Sequence, residues 1–323
     1  MKTHSDFEKR YLILCDFDGT LFKTSDPSPT GMTVQKAYVQ SLDDIFGKGT
    51  GELFFSGNGF NGEGPSQIIQ TFLSTTNGDF VHKMQNARRV CKEQNGHFPK
   101  IIPESQNGEI QWSDEKPELA LTQMLIIRKL SYLMGEVGIP DRNGNSWPLP
   151  CEGVLNFFYS LGLLKKENAP IDFAIVSSGH ESFIRKTLEA WKMPQPDVLV
   201  TEDDLRPRKF PQEAEDKFKP GVFPVALAHF LWLKNQGIVF SKEIGLDTKE
   251  RIIHIGDTPT KDLVMAAMAG IKCNFLYPHT SWEFITKKLT TNKGLLDGRP
   301  LVEILGPQLI VAEGLPTGRK ERI

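Results

Sequence analysis

The run Tyr11-Leu12-Ile13-Leu14-Cys15-Asp16-Phe17-Asp18-Gly19-Thr20 passes from apolar residues straight into two carboxylates and a glycine. Its apolar part, Tyr11–Cys15, lacks polar alternation and has the length of a strand covered on both faces, as strands of parallel sheets are. Active sites of open parallel sheets lie at the carboxyl ends of strands, where Asp16 and Asp18 stand. Two carboxylates one residue apart repel, and the repulsion raises one pKa unless something positive joins them. A hard cation with oxygen ligands, such as magnesium, meets that need. Gly19 allows a sharp turn and a close approach of backbone to a ligand. An isolated Asp-Gly reads as a turn or a helix cap; following a strand directly, it reads as a site.

Four further apolar runs have strand length: Ile171–Val176, Asp197–Val200, Arg251–Ile255 and Lys272–Leu276. Helical patterns separate several of them, at Gly153–Leu164, Glu181–Trp191, Val225–Asn235 and Lys261–Ala269. Strands alternating with helices predict an α/β fold with a parallel sheet covered on both faces. Between Phe22 and about Pro150 the period becomes helical, over Val34–Phe46, from Pro65, over Phe80–Cys91 and over Leu119–Met134. The expected organisation is a core of residues 1–22 and 150–323, with a mainly helical domain of residues 23–149 inserted into it. The tail after Pro278 carries too little pattern to assign.

A second strand end comes at Ile252-Ile253-His254-Ile255-Gly256-Asp257, with Asp262 following at the start of a helix. Asp257 is placed to add a carboxylate to the same cation; Asp262 also suits the first turn of a helix in its own right. Ile175-Val176-Ser177-Ser178-Gly179-His180 offers a hydroxyl at a strand end and amides opening a helix, which suits phosphate oxygens. Lys219, after the charged stretch Thr201–Phe218, is able to offset developing negative charge. Taken singly, Ser-Ser-Gly is an ordinary loop and Lys219 a solvated lysine.

In the order Asp-x-Asp, Ser, Lys, Gly-Asp-x4-Asp, these four motifs resemble the haloacid dehalogenase superfamily, over residues 11–22 and about 150–277. The resemblance implies a three-layer α/β sandwich with a Rossmann-like sheet and a cap domain inserted after the first strand. It implies a magnesium-dependent phosphatase acting on a small phosphorylated metabolite. Asp16 is then the nucleophile that forms an aspartyl-phosphate. Asp18 protonates the leaving oxygen and later activates water. Ser177 and the Ser178 amide hold phosphoryl oxygens, and Lys219 pairs with Asp16 and the phosphate. Asp16, the Asp18 backbone carbonyl and Asp257 bind Mg2+, with Asp262 at or beside the ion. A sugar phosphomutase would use the same core. A binding module that had lost activity is expected to have lost at least one of these charged positions, and this sequence keeps them all.

Bulk properties narrow the partners. At 323 residues, with a prior of about 150 residues per domain, two domains are expected. With 38 basic against 40 acidic residues, the net charge of −2 gives no reason to expect nucleic acid or an anionic membrane. The four cysteines, Cys15, Cys91, Cys151 and Cys273, form no Cys-x-x-Cys pair, which argues against a zinc or redox motif. No apolar run is long enough to span a bilayer, and a reducing cytoplasm is the default expectation. The oligomeric state is open. Substrate choice is expected in the inserted domain, with the Gly-rich Ser56–Gly64 loop the first place to look. Arg88, Arg89 and Arg128 are candidates to reach an anion, or solvated helix residues. Phe54, Phe55 and Phe60 are expected in the helical core, His254 is expected to be structural, and His180 either touches substrate or opens a helix.

Overall fold

The computed structural model describes residues 10–59, 64–75, 80–94, 110, 112–205, 219, 221–238 and 248–291. In chain order the elements are β1 (Tyr11–Cys15), α1 (Val34–Phe46), α2 (Thr50–Asn58), α3 (Pro65–Thr75), α4 (Phe80–Gln94), α5 (Pro117–Glu136) and α6 (Val154–Lys166). They continue with β2 (Ile171–Val176), α7 (Glu181–Ala190), β3 (Val198–Val200), α8 (Phe223–Asn235), β4 (Ile252–Gly256), a π-helical turn (Pro259–Leu263), α9 (Val264–Met268), β5 (Cys273–Leu276) and α10 (Trp282–Thr291). The chain divides into two compact units. One comprises Met1–Leu21, Pro150–Ser177 and Pro196–Ile323; the other comprises Phe22–Leu149 and Ser178–Gln195.

The first unit is an α/β sandwich on a five-stranded sheet in the order β3-β2-β1-β4-β5, parallel throughout. β1 lies in the middle, with Leu14 in register with Ala174 on one side and His254 on the other. All five β1 residues are buried, which is why the run shows no polar alternation. Alternate residues face opposite layers. Leu12, Leu14, Ala174, Val176 and Ile252 join Val225, Ala228 and Trp232 of α8 and Met265 and Ala266 of α9 in one core. On the other layer, Phe173 meets Phe157 and Phe158 of α6 at ring-centre distances of 6.1 and 5.1 Å, and Phe157 meets Trp282 of α10 at 4.7 Å. Several apolar or aromatic side chains, each contributing about 1.5–3 kcal/mol when fully buried, therefore clamp each face of the sheet.

The second unit is helical. Thr33 caps α1 by accepting from the Lys36 amide at 3.0 Å. From α1, Tyr38, Leu42, Ile45 and Phe46 then enter a core with Phe54 and Phe55 of α2, Ile68, Ile69 and Phe72 of α3, and Leu121, Met124 and Leu125 of α5. Phe46 stacks on Phe72 at 4.2 Å. Pro117 starts α5 at a position where its missing N–H costs nothing. Arg128 and Tyr132 on α5 both hold Asp44 of α1.

Three elements differ from the expectations. Ser56, Gly57 and Asn58 lie in α2 rather than in a loop, because Phe54 and Phe55 anchor that helix in the aromatic core. Residues 60–63 of the Ser56–Gly64 segment, Phe60 among them, lie outside the described residues. The segment expected as one helix over Lys261–Ala269 begins with a π-helical turn at Pro259. The tail past Pro278 contains α10, with Trp282, Ile285 and Leu289 buried; residues 292–323 lie outside the described residues. Among the described residues no helix is long and apolar enough to cross a membrane.

Candidate active site

The carboxyl ends of β1, β2 and β4 bring the charged motifs of the first unit together. The Asp16 amide still donates to Ile255 O at 2.9 Å, so the ladder between β1 and β4 fixes the backbone of Asp16 against the strand that delivers Asp257. Carboxylate oxygens of Asp16, Asp257 and Asp262 lie within 4.8 Å of one another. Lys219 inserts a buried side chain, 5% exposed, between two of them: Nζ donates to Asp16 Oδ1 at 2.5 Å and to Asp262 Oδ1 at 2.7 Å. The other oxygen of Asp262 accepts the Thr258 amide at 3.1 Å. Asp257 Oδ1 accepts from Thr258 Oγ1 at 3.2 Å and from Thr20 Oγ1 at 3.5 Å.

Two glycines make this convergence sterically feasible. Gly19 has φ +76°, and a Cβ there would sit 2.3 Å from Asp257 Oδ2. A Cβ on Gly256 would meet the Cβ of Asp262 at 2.3 Å. Any larger residue at either position must displace a carboxylate of the cluster.

The electrostatics follow from one ammonium held between two of three neighbouring carboxyl groups. Burial pushes the Asp16 carboxyl well above the ordinary range; Lys219 opposes this, while Asp262 and Asp18 add to it. Asp257 is also raised, by burial and by Asp262. For Asp262 burial acts upward as well, but Lys219 and the Thr258 amide outweigh it and its pKa falls. Burial works against the charge on Lys219, yet Asp16 and Asp262 more than compensate, so it stays an ammonium. Among the described residues the cluster thus sets three carboxyl groups close together beside one ammonium, and offers hard oxygen donors. That donor set fits a divalent cation of the magnesium type.

Other expected residues fall as follows. Ser177, buried at the end of β2, donates from Oγ to Asp18 Oδ2 at 3.3 Å. The Asp18 side chain thus meets Ser177 and lies near enough to Asp16 to act on its charge. Ser178 is exposed and falls in the span assigned to the second unit. His180 is buried at the N-cap of α7. His254 is fully buried within β4, and burial first, then Lys219, lowers its pKa to about 4, which keeps it neutral. Arg88 and Arg89 pair on the surface with Asp114 and Glu93.

Two supports of the Asp16–Thr20 turn went unread in the sequence. The Trp282 indole donates to Thr20 O at 3.0 Å from a fully buried position. The Cys151 thiol donates to Gly19 O at 3.3 Å. Each residue lies more than 130 positions from its partner, and no local pattern links them.

The molecule is thus an α/β protein with a carboxylate–lysine centre at the carboxyl edge of its parallel sheet. No protein-family model and no curated protein matches the sequence. Among solved structures, the chain is similar to hydrolases of the haloacid dehalogenase superfamily. CbbY from Rhodobacter sphaeroides, in complex with phosphate, is 15% identical with a TM-score of 0.38, over 82% of this chain and 85% of that one. A HAD phosphatase from Thermococcus onnurineus is 13% identical with a TM-score of 0.38, over 87% and 98%. L-2-haloacid dehalogenase from Xanthobacter autotrophicus is 12% identical with a TM-score of 0.34, over 91% and 86%. At these values the functional reading rests on the geometry of the centre itself.

Proposed function

We propose that the chain is a magnesium-dependent phosphomonoester hydrolase of the haloacid dehalogenase type, acting on a small phosphorylated metabolite through an aspartyl-phosphate on Asp16. The observation that carries this reading is the close group of Asp16, Asp257 and Asp262, with the ammonium of Lys219 held between Asp16 and Asp262 and with Ser177 and Asp18 in contact beside it.

In this reading an Asp16 oxygen attacks phosphorus as the bond to the leaving oxygen breaks. Asp18, in its acid form, gives its proton to that leaving oxygen. Water then attacks the phosphorus of the acyl phosphate, its proton passes to Asp18, and the bond to Asp16 breaks to release inorganic phosphate. Lys219 orients Asp16 and offsets charge on the phosphoryl oxygens, and Ser177 donates to one of them. Asp16, Asp257 and the Asp18 carbonyl would hold Mg2+, with Asp262 anchoring Lys219 beside it; the ion would neutralise charge developing on the transferring group. The helical unit is the cap domain of such an enzyme.

The test is phosphate release from a panel of sugar phosphates, nucleotides, phosphoglycolate and an aryl phosphate, with magnesium and with chelator. Release that needs magnesium and disappears in Asp16→Asn is the expected result. Turnover undiminished in Asp16→Asn would overturn the assignment of the nucleophile. Isomerised sugar phosphate without net release would replace the hydrolase with a phosphomutase.

A further inference from the structure

The segment that joins β5 to α10 touches both halves of the carboxylate centre. At its start the Tyr277 amide donates to Gly256 O at 2.8 Å, which carries the β4–β5 ladder up to the peptide group preceding Asp257. At its end the Trp282 indole donates to Thr20 O at 3.0 Å, on the turn that carries Asp16 and Asp18. The turn and Asp257 also meet directly: a Cβ on Gly19 would clash with the Asp257 carboxylate, and Thr20 Oγ1 reaches Asp257 Oδ1 at 3.5 Å. That hydrogen bond is long and holds little by itself. The spacing of the two halves therefore depends on what anchors the turn from outside.

Three successive carbonyls of the chain leaving the turn each take a donor from a distant residue. Gly19 O accepts from the Cys151 thiol at 3.3 Å, Thr20 O from Trp282, and Leu21 O from the Cys151 amide at 2.9 Å. One anchor would leave the turn free to pivot; three in a row fix its position and its rotation. The anchors are themselves held. Trp282 is fully buried, with its ring 4.7 Å from that of Phe157 on α6. A Cβ on Gly153, at φ +84°, would come within 2.8 Å of the Trp282 Cβ, so the start of α6 packs backbone-close on the start of α10. The Tyr277 phenol lies in hydrogen-bonding contact with the Cys151 thiol.

These donors bond carbonyls and not carboxylates, so they act on the centre by position. Groups that hold a metal depend on outer partners that fix their orientation. We propose that Tyr277–Trp282 and Cys151 form a backbone clamp that sets the spacing between the Asp16–Thr20 turn and Asp257, and through it the affinity of the centre for a divalent cation. Trp282 is the main positioning residue, since its donor is rigid and a thiol is a weak one. The inference rests on the metal-dependent reading proposed above.

The experiment is calorimetric titration of the full chain with magnesium chloride, beside urea midpoints measured in chelator. Trp282→Phe keeps a ring against Phe157 and removes the donor. It is expected to weaken magnesium binding about tenfold and to raise by the same factor the magnesium needed for half-maximal turnover of an aryl phosphate. Cys151→Ala is expected to weaken binding several-fold, and Cys151→Ser, which keeps a donor, to recover most of the loss. Leu289→Ala removes buried packing from the far end of α10; it is expected to lower the urea midpoint and leave magnesium binding at the wild-type value. Magnesium binding unchanged in both Trp282→Phe and Cys151→Ala would overturn the clamp while leaving the reading of the site intact. An equal loss in Leu289→Ala would overturn it too, by reducing the effect to general loosening. A wild type that takes up no magnesium would overturn the reading of the site and the clamp together.

Discussion

Asp172 and Asp16 are both buried aspartates of the same sheet, one at the amino end of β2 and the other at the carboxyl end of β1, and they are exposed to 4% and 6%. Asp172 has a charge partner of its own. Arg10 grips both its oxygens, with Nε at 2.8 Å, and Trp232 and Gln236 donate at 2.8 and 3.3 Å. One carboxylate meets one guanidinium and neutral donors, and the charge is balanced. Asp16 shares the Lys219 ammonium with Asp262, and Asp257 stands in the same group. Burial of a carboxylate therefore does not by itself mark a site. Among the described residues, more clustered carboxyl groups than neighbouring cations do mark one, because such a group suits a cation from outside.

Substitutions at the two ends should behave differently. The largest effect is expected for Asp16→Asn, which should lower kcat by about a thousandfold or more while leaving the urea midpoint close to wild type. Asp172→Ala should do the reverse. Stranding Arg10 without its carboxylate should cost about 3–5 kcal/mol, read as a lower urea midpoint, with kcat per folded molecule unchanged. If both variants lost activity in proportion to stability, the distinction between the two ends would collapse.

A third prediction separates a structural histidine from both ends. Burial, with a smaller contribution from Lys249, lowers the pKa of His229 to about 4, and its ring nitrogen meets Thr248 Oγ1 at 2.6 Å. The folded state then binds fewer protons than the unfolded state between the unfolded value of about 6.5 and the folded value of about 4. Stability falls as pH drops through that window. Removing this linkage in His229→Gln should flatten the decline between pH 6.5 and 4 by on the order of 2–3 kcal/mol, read from urea midpoints at several pH values. An equally steep decline would assign the acid sensitivity to other groups. The smallest effect is expected for Ser177→Ala, which removes one donor beside Asp18. It should lower kcat by about tenfold to a hundredfold, with stability nearly unchanged.

How much of this was legible depended on the distance over which each feature is encoded. β1 and β4 were readable because both faces are covered and their apolar runs end abruptly in Asp16 and Gly256. The amphipathic α1 and α3 were readable from their helical period. The end of α2 was misread because Gly57 and Asn58 look like loop residues, while the contacts that hold Phe54 and Phe55 come from other helices. α10 had a usable signal in Trp282, Ile285 and Leu289, at positions i, i+3 and i+7, that the reading passed over. Candidate site residues could be named one by one from strand ends and motif order. That Lys219 lies between Asp16 and Asp262, and that Asp262 packs on Gly256, follows from tertiary convergence that no local spacing encodes.

The central claim, that the carboxylate group at the carboxyl edge takes up a divalent cation, is tested most directly by the melting temperature with magnesium and with chelator. Wild type, Asp257→Asn and Asp172→Asn should be compared, since a ligand that binds only the folded state raises its stability. The account predicts that magnesium raises the melting temperature of wild type and Asp172→Asn and that Asp257→Asn loses the increment. No increment in wild type, or an undiminished one in Asp257→Asn, would contradict it.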